Sequence, residues 1–161
     1  MYQTILVPID GSPTSSRALQ EAAKLAQLCG ARLRALHVVD PVNHMSGFER
    51  PEVYVRDILP ALLAGGESVL EQARAEAVSS APGVAVDTEL QESRGLRTWE
   101  IILERAQACA ADLIVLGTHG RRGFNRVLMG SDAEIVVRHC PLPVLLVRHP
   151  EAHRAPPGHP G

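Results

Sequence analysis

A stretch rich in glycine and arginine, LIVLGTHGRRGFNRVLMGSDAE, carries the residue types best suited to binding chemistry. The spacing is G-x-x-G, nine residues, then G-S, which places the small residues at Gly117, Gly120, Gly130 and Ser131. Glycine allows a ligand to approach the backbone and leaves the amide N–H groups uncovered. Arg121 and Arg122 add positive charge in the same loop, so the expected ligand is an anion.

The end of this stretch predicts a helix that begins at Ser131. The first N–H groups of a helix and its positive dipole end attract anions, so the pattern favours a phosphate site. Two alternatives stay open: Ser131 and Glu134 match an S-x-x-E capping box, and the glycines could serve only as turns. The loop is neither a Walker A motif nor the dinucleotide fingerprint, because no Gly-Lys-Ser/Thr and no G-x-G-x-x-G occurs.

Short apolar runs alternate with amphipathic segments along the chain. They predict strands at 4–9, 33–39, 84–90, 112–116 and 143–147, and helices at 13–29, 61–80, 95–110 and 131–139. This alternation predicts an α/β fold, a single doubly wound, Rossmann-like domain with a five-stranded parallel sheet and helices on both faces. Residues 1–149 would form the domain, residues 41–60 an irregular loop, and the proline-rich residues 150–161 a disordered tail.

Strand order decides where a ligand binds in such a fold. In the order 3-2-1-4-5, strands one and four are neighbours, and the crevice opens between their carboxyl ends. Asp10, at the end of the first strand, would then face the glycine loop. The alternative for Asp10 is a local one, in which it ends the strand and helps to start the following helix.

Composition excludes several classes of function. The formal net charge of −2 over 161 residues gives no electropositive field for nucleic acid or an anionic membrane. No apolar run approaches the roughly 18 residues of a membrane span, and the N-terminus lacks a signal peptide pattern, so we expect a cytoplasmic protein. Buried, inert thiols are expected at Cys29, Cys109 and Cys140. The histidines show no metal-ligand spacing, so no metal site is expected.

The sequence resembles the universal stress protein family over nearly its whole length, from TILVPIDGS to PVLLVR. The most telling stretch is ADLIVLGTHGRRGFNRVLMGSDAEIVVRHCPLPVLLV, whose G-2x-G-9x-G-S spacing marks the ATP-binding branch of that family. The resemblance implies a stress-response protein that binds ATP, AMP or a related adenine nucleotide, with magnesium as a candidate companion of the triphosphate. It also implies a homodimer that pairs through the strand from Pro143 to Val147.

The resemblance further implies a role for each matching residue. Asp10 would contact the adenosine end of the nucleotide, with Pro8 beside it and the backbone of Val38 at the adenine edge. Leu116 and Gly117 would lie under the ribose. The phosphate end would be formed by Gly120, Gly130, Ser131 and the backbone N–H groups of Asp132 and Ala133. Apart from the resemblance, the positive charges of Arg121 and Arg122 would offset the Asp132 carboxylate beside the phosphates.

Two other classes of function remain alternatives. One is an enzyme, at most a slow ATPase or nucleotide hydrolase. Against it, no lysine lies near the loop, and no carboxylate pair for magnesium is evident beyond Asp10 and Asp132. The other is a protein-interaction module that binds no nucleotide.

Overall fold

The computed structural model of the chain describes residues 1–41, 50–118 and 129–149. Within these ranges the strands are β1 (Thr4–Pro8), β2 (Arg32–Val39), β3 (Ala85–Glu92), β4 (Leu113–Gly117) and β5 (Val144–Val147). The helices are α1 (Pro13–Cys29), α2 (Pro51–Val53), α3 (Leu59–Ser80), α4 (Thr98–Ala108) and α5 (Ser131–His139). A π-helical turn, Tyr54–Ile58, joins α2 to α3.

All five strands form one parallel sheet in the order β3-β2-β1-β4-β5. The predicted α/β fold and strand order are therefore confirmed. The central strand β1 pairs with β2 on one side and with β4 on the other. Because all the strands run the same way, their carboxyl ends meet at one edge of the sheet.

Side chains that alternate along each strand build two apolar cores, one on each face. Ile5 and Val7 of β1 pack on the face covered by α1 and α3. Leu6, between them, packs on the opposite face with residues of α4 and α5. Burial on both faces explains why the central strands β1 and β4 appear in the sequence as continuous apolar runs.

The first helix begins and ends where the sequence predicts. Ser12 is its N-cap and accepts a hydrogen bond from the Ser15 N–H at 3.2 Å, and Pro13 occupies the first helical position. Gly30 ends the helix with φ of 65°, the left-handed conformation that glycine adopts without strain. The direction of the chain after β1 is thereby fixed by local chemistry.

The prediction of an irregular loop over residues 41–60 is wrong for its second half. Helical structure begins at Pro51 and continues to Ser80, while residues 42–49 lie outside the described part of the chain. Pro60 has no N–H and would ordinarily interrupt a helix. Here the Leu59 N–H donates to Tyr54 O, an i to i−5 bond, so a wider π turn carries the helix past the proline.

The glycine pair inside α3 has a packing role at one of its two positions. A Cβ on Gly66 would lie 2.6 Å from Leu90 Cδ1, 3.0 Å from His37 Cδ2 and 3.1 Å from Val39 Cγ2. A Cβ on Gly65 would have nothing within 4 Å. Gly66 therefore allows α3 to approach the sheet closely, and Gly65 does not contribute to that contact.

The prediction of buried cysteines is also wrong. Cys29, Cys109 and Cys140 are free thiols, and each is half-buried. Their positions explain the exposure, because Cys29 is the last residue of α1 and the other two cap the ends of α4 and α5. In the described ranges, no helix combines the length and apolarity needed to cross a membrane.

Candidate functional site

The exits of β1 and β4 lie side by side at the centre of the sheet, as the strand order requires. Pro8 ends β1 and is followed by Ile9 and the half-buried Asp10. Gly117 ends β4, and Leu116 before it is buried in the core against α5. Only the main chain of Leu116 is therefore placed to contact a ligand in the crevice between the two strands.

Asp10 takes part in a local network that holds the turn between β1 and α1. Its Oδ1 accepts a hydrogen bond from the Ser12 N–H at 2.8 Å, and its own N–H lies 3.4 Å from Ser15 Oγ. Ser12 and Ser15 are both 5% exposed. The local role that the sequence left open for Asp10 is thus present, and its contact with a ligand stays a prediction.

Gly117 has a packing reason to be glycine. A Cβ at this position would lie 2.8 Å from Thr14 Cγ2 and 3.0 Å from the Thr14 carbonyl carbon and oxygen. Because two of these contacts are to backbone atoms, the first turn of α1 would have to move to admit a side chain. Sequence analysis did not identify Thr14, since a buried threonine in a helix carries no pattern of its own.

The N-terminus of α5 lies at the exit of β4 and contains the predicted Gly-Ser pair. Gly130 is the N-cap, which has no side chain to cap the helix, and Ser131 is the first helical residue. The S-x-x-E capping box is therefore absent, and Glu134 instead accepts a hydrogen bond from Arg138 at 2.7 Å. Ser131 is exposed, whereas the Ala133 side chain is buried against the core.

The backbone of Gly130 has an ordinary conformation, with φ of −60° and ψ of 148°. Any residue can adopt these angles, so the chain does not require glycine here for its turn. The Gly130 N–H donates to Thr118 O at 2.6 Å, and the Thr118 N–H donates to Val147 O at 2.9 Å. These bonds bring the residues on either side of segment 119–128 together beside β5.

Three of the predicted site residues fall in that segment. Gly120, Arg121 and Arg122 lie outside the residues that the structure describes. Their assignment to the phosphate end therefore rests on sequence alone. The other residues predicted to contact phosphate, Gly130, Ser131, Asp132 and Ala133, lie within the described part of the chain.

Val38 lies on β2, beside the exit of β1, as the predicted position for the base requires. The neighbouring His37 donates a hydrogen bond from Nδ1 to Ile9 O at 2.6 Å. This bond joins β2 to the turn that carries Asp10. In the sequence, His37 is one of seven histidines without metal-ligand spacing, and no pattern indicates this bond.

A second polar group lies near the carboxyl ends of β2 and β3. Ser93 is 1% exposed, and its hydroxyl donates to Asp40 Oδ1 at 3.3 Å. Burial raises the pKa of the Tyr54 phenol, and the carboxylates of Glu92 and Asp40 raise that pKa further.

Comparison with known proteins agrees with this arrangement. The model of the universal stress protein family matches residues 1–148. A universal stress protein of Methanocaldococcus jannaschii is 36% identical over 152 residues, which cover 94% of this chain and 85% of that protein.

Solved structures agree as well. The structure of the universal stress protein UspA from Lactobacillus plantarum has a TM-score of 0.75 and 33% identity, with 91% of this chain and 98% of that chain covered. A universal stress protein from Archaeoglobus fulgidus, solved in complex with dAMP, has a TM-score of 0.63 and 25% identity, with 91% and 98% covered. By its sequence and its fold, the chain belongs to the universal stress protein family.

Proposed function

We propose that this protein binds ATP or a related adenine nucleotide in the crevice between β1 and β4, and acts in the stress response through nucleotide-dependent conformation or partner contacts. The main support for nucleotide binding is that Asp10 and the start of α5 at Gly130–Ser131 lie at the exits of two neighbouring strands. The dAMP complex of the Archaeoglobus fulgidus relative supports the choice of an adenine nucleotide. A cytoplasmic location fits the three free thiols.

The phosphate end of the proposed site is the start of α5. The first intrahelical bond of α5 runs from the Glu134 N–H to Gly130 O, so the amides of residues 131–133 precede it. Amides in this position are the donors with which a helix N-terminus binds anions. The absent capping box supports this role, because the Ser131 hydroxyl is not used to cap the helix. Gly120, Arg121 and Arg122 would complete this end from the loop.

The adenosine end of the proposed site lies across the crevice at Asp10, Pro8 and Val38. A carboxylate suits this end, since it can accept hydrogen bonds from ribose hydroxyls or from an exocyclic amine, whereas phosphates would repel it. Leu116 and Gly117 would contribute main chain beneath the ribose. The nucleotide would thus span the crevice from β2 to the start of α5.

We also propose a homodimer that pairs through β5. This strand is an edge of the sheet and exposes Leu145 at 40% and Leu146 at 37%. The opposite edge, β3, carries charges that discourage pairing, such as Asp87 and Glu89, which form ion pairs with Arg34 at 3.6 Å and 3.2 Å. An apolar edge strand without such protection is suited to covering by a second copy.

The dimer is tested by sedimentation equilibrium of the wild type and of Leu146→Lys. We expect a dimer for the wild type and a shift toward monomer for the variant. The matched control is Val78→Lys, because Val78 is 46% exposed but lies on α3, away from the edge. A wild type that is monomeric at high micromolar concentration would contradict the proposal.

The nucleotide is identified by mass spectrometry of the small molecules that the purified protein releases when it is denatured. Titration calorimetry with ATP, AMP, cyclic AMP, adenosine and GTP then ranks the ligands, and we expect the adenine compounds to bind better than GTP. Turnover above about 1 per second, the low end of kinase rates, would indicate an enzyme instead. If no nucleotide binds at all, the protein is an interaction module and the proposal is wrong.

A further inference from the structure

At the proposed base site, a side chain makes a hydrogen bond that a backbone N–H would ordinarily make between neighbouring parallel strands. The last backbone bond between β1 and β2 runs from the Ile9 N–H to Leu36 O at 2.7 Å. In a parallel ladder the next bond would run from the Val38 N–H to Ile9 O. Instead, Ile9 O accepts its hydrogen bond from His37 Nδ1 at 2.6 Å. Among the residues that the structure describes, no hydrogen bond joins the Val38 N–H to Ile9 O.

The direction of the Val38 main chain follows from its neighbour. Val39 O accepts a hydrogen bond from the Ser93 N–H at 2.9 Å, so the polar groups of Val39 point toward β3. Successive residues of a strand alternate in this respect, so the N–H and C=O of Val38 point the other way, toward β1. Because β1 has ended at Pro8, this direction leads into the crevice.

We infer that His37 is a positioning residue for nucleotide binding. Its imidazole donates a hydrogen bond to the Ile9 carbonyl oxygen, so the Val38 N–H does not bind that oxygen and the Val38 main chain stays available to the base. This inference rests on the proposed function, and names how that site selects its base. An N–H donor beside a C=O acceptor matches the N1 acceptor and the amino donor of adenine. Guanine presents the opposite pattern at these two positions.

The packing around His37 keeps the imidazole in place. Gly66 of α3 is buried against the ring, and even one added methyl carbon there would lie 3.0 Å from His37 Cδ2. The bond to a carbonyl oxygen also requires that Nδ1 carry the proton. The ring orientation is therefore set from one side by α3 and from the other by the turn after β1.

The first test needs no ligand and measures amide hydrogen exchange in the wild type, His37→Leu and His37→Asn. Leucine removes the donor, while asparagine retains an N–H near the position of Nδ1. In the wild type we expect the Val38 amide to exchange at least about tenfold faster than the Leu36 amide, which lies within the paired stretch of β2. In His37→Leu, Val38 can complete the ladder, so its exchange should slow by about tenfold or more. His37→Asn should resemble the wild type.

The second test is calorimetric titration of the same three proteins with adenosine, guanosine and inorganic tripolyphosphate. We expect His37→Leu to lose about tenfold in adenosine affinity, the effect of one hydrogen bond, and His37→Asn to lose less than about threefold. Tripolyphosphate affinity should not change, because the phosphate end lies across the crevice. General damage to the fold would lower both affinities.

Each outcome decides a different claim. A Val38 amide as protected as Leu36 in the wild type, or unchanged exchange in His37→Leu, overturns the inference about the ladder. Unchanged adenosine affinity in a folded His37→Leu overturns the link to the base. A wild type that binds no adenine compound overturns the proposed function itself, while the exchange data still decide what His37 does.

Discussion

Replacement of Asp10 by alanine should weaken ATP, AMP and adenosine by a similar factor. The proposed site places the carboxylate at the adenosine end, so the number of phosphates should not matter. The same substitution also removes the acceptor that the Ser12 N–H uses at 2.8 Å. The affinity and the stability of Asp10→Ala therefore have to be measured together.

The expected magnitudes follow from these two contacts. A hydrogen bond to a charged acceptor contributes about 1.5–3 kcal/mol, which corresponds to a loss of roughly 10- to 150-fold in affinity. The bond from the Ser12 N–H has the same charged acceptor, so its loss should lower the free energy of unfolding by about 1.5–3 kcal/mol. In a chain of this size, that loss lowers Tm by about 3–12 °C.

The control is Asp10→Asn, whose side-chain oxygen can still accept from the Ser12 N–H. We expect Asn to restore part of the Tm and part of the ligand affinity, because charged hydrogen bonds are about twice as strong as neutral ones. Calorimetry with all three ligands and thermal unfolding measure both effects. If Asp10→Ala binds adenosine as the wild type does, the carboxylate is no ligand contact and the base is placed wrongly.

Three further predictions use the same assays. Gly130→Val should keep the fold, because φ of −60° suits valine, but should weaken ATP binding by crowding the amides of the α5 start; a folded variant with wild-type affinity would show that this glycine is only part of a turn. Arg121→Ala combined with Arg122→Ala should lower affinity for ATP more than for adenosine, with a smaller loss at high salt; equal losses would mean that the arginines shape the loop. Gly65→Ala should stabilise α3 by about 1 kcal/mol, whereas Gly66→Ala adds an overpacking cost of about 1–3 kcal/mol; equal Tm values for the two variants would contradict the packing contact.

Features of the fold that depend on local chemistry could be predicted from the sequence. Ser12, Pro13 and Gly30 set the ends of α1 through their own hydrogen bonds and dihedral angles, so their effect does not depend on distant residues. The central strands β1 and β4 are apolar because both faces of the sheet are covered there. The parallel direction of the strands then follows from their alternation with helices.

Features could not be predicted where local rules allow more than one outcome or where strand register decides a contact. The helix through Pro60 requires a π turn before it, which propensity rules exclude. Ser131 and Glu134 match a capping box in sequence, yet Glu134 pairs with Arg138 instead. The bond from His37 to Ile9 O depends on the register of β1 against β2, which a single sequence does not specify.

The two ends of the proposed site are held by different kinds of contact, so substitutions at the two ends should affect the binding of different ligands. At the adenosine end, side chains fix the backbone: His37 binds Ile9 O, and Asp10 binds the Ser12 N–H. At the phosphate end, the described contacts are between main-chain groups, as in the bond from the Gly130 N–H to Thr118 O. Removing a side chain at the first end should therefore affect every adenine ligand, whereas adding a side chain at the second should affect only phosphorylated ones. A substitution at Gly130 that weakened adenosine as much as ATP would show that the two ends are mechanically coupled through the exit of β4.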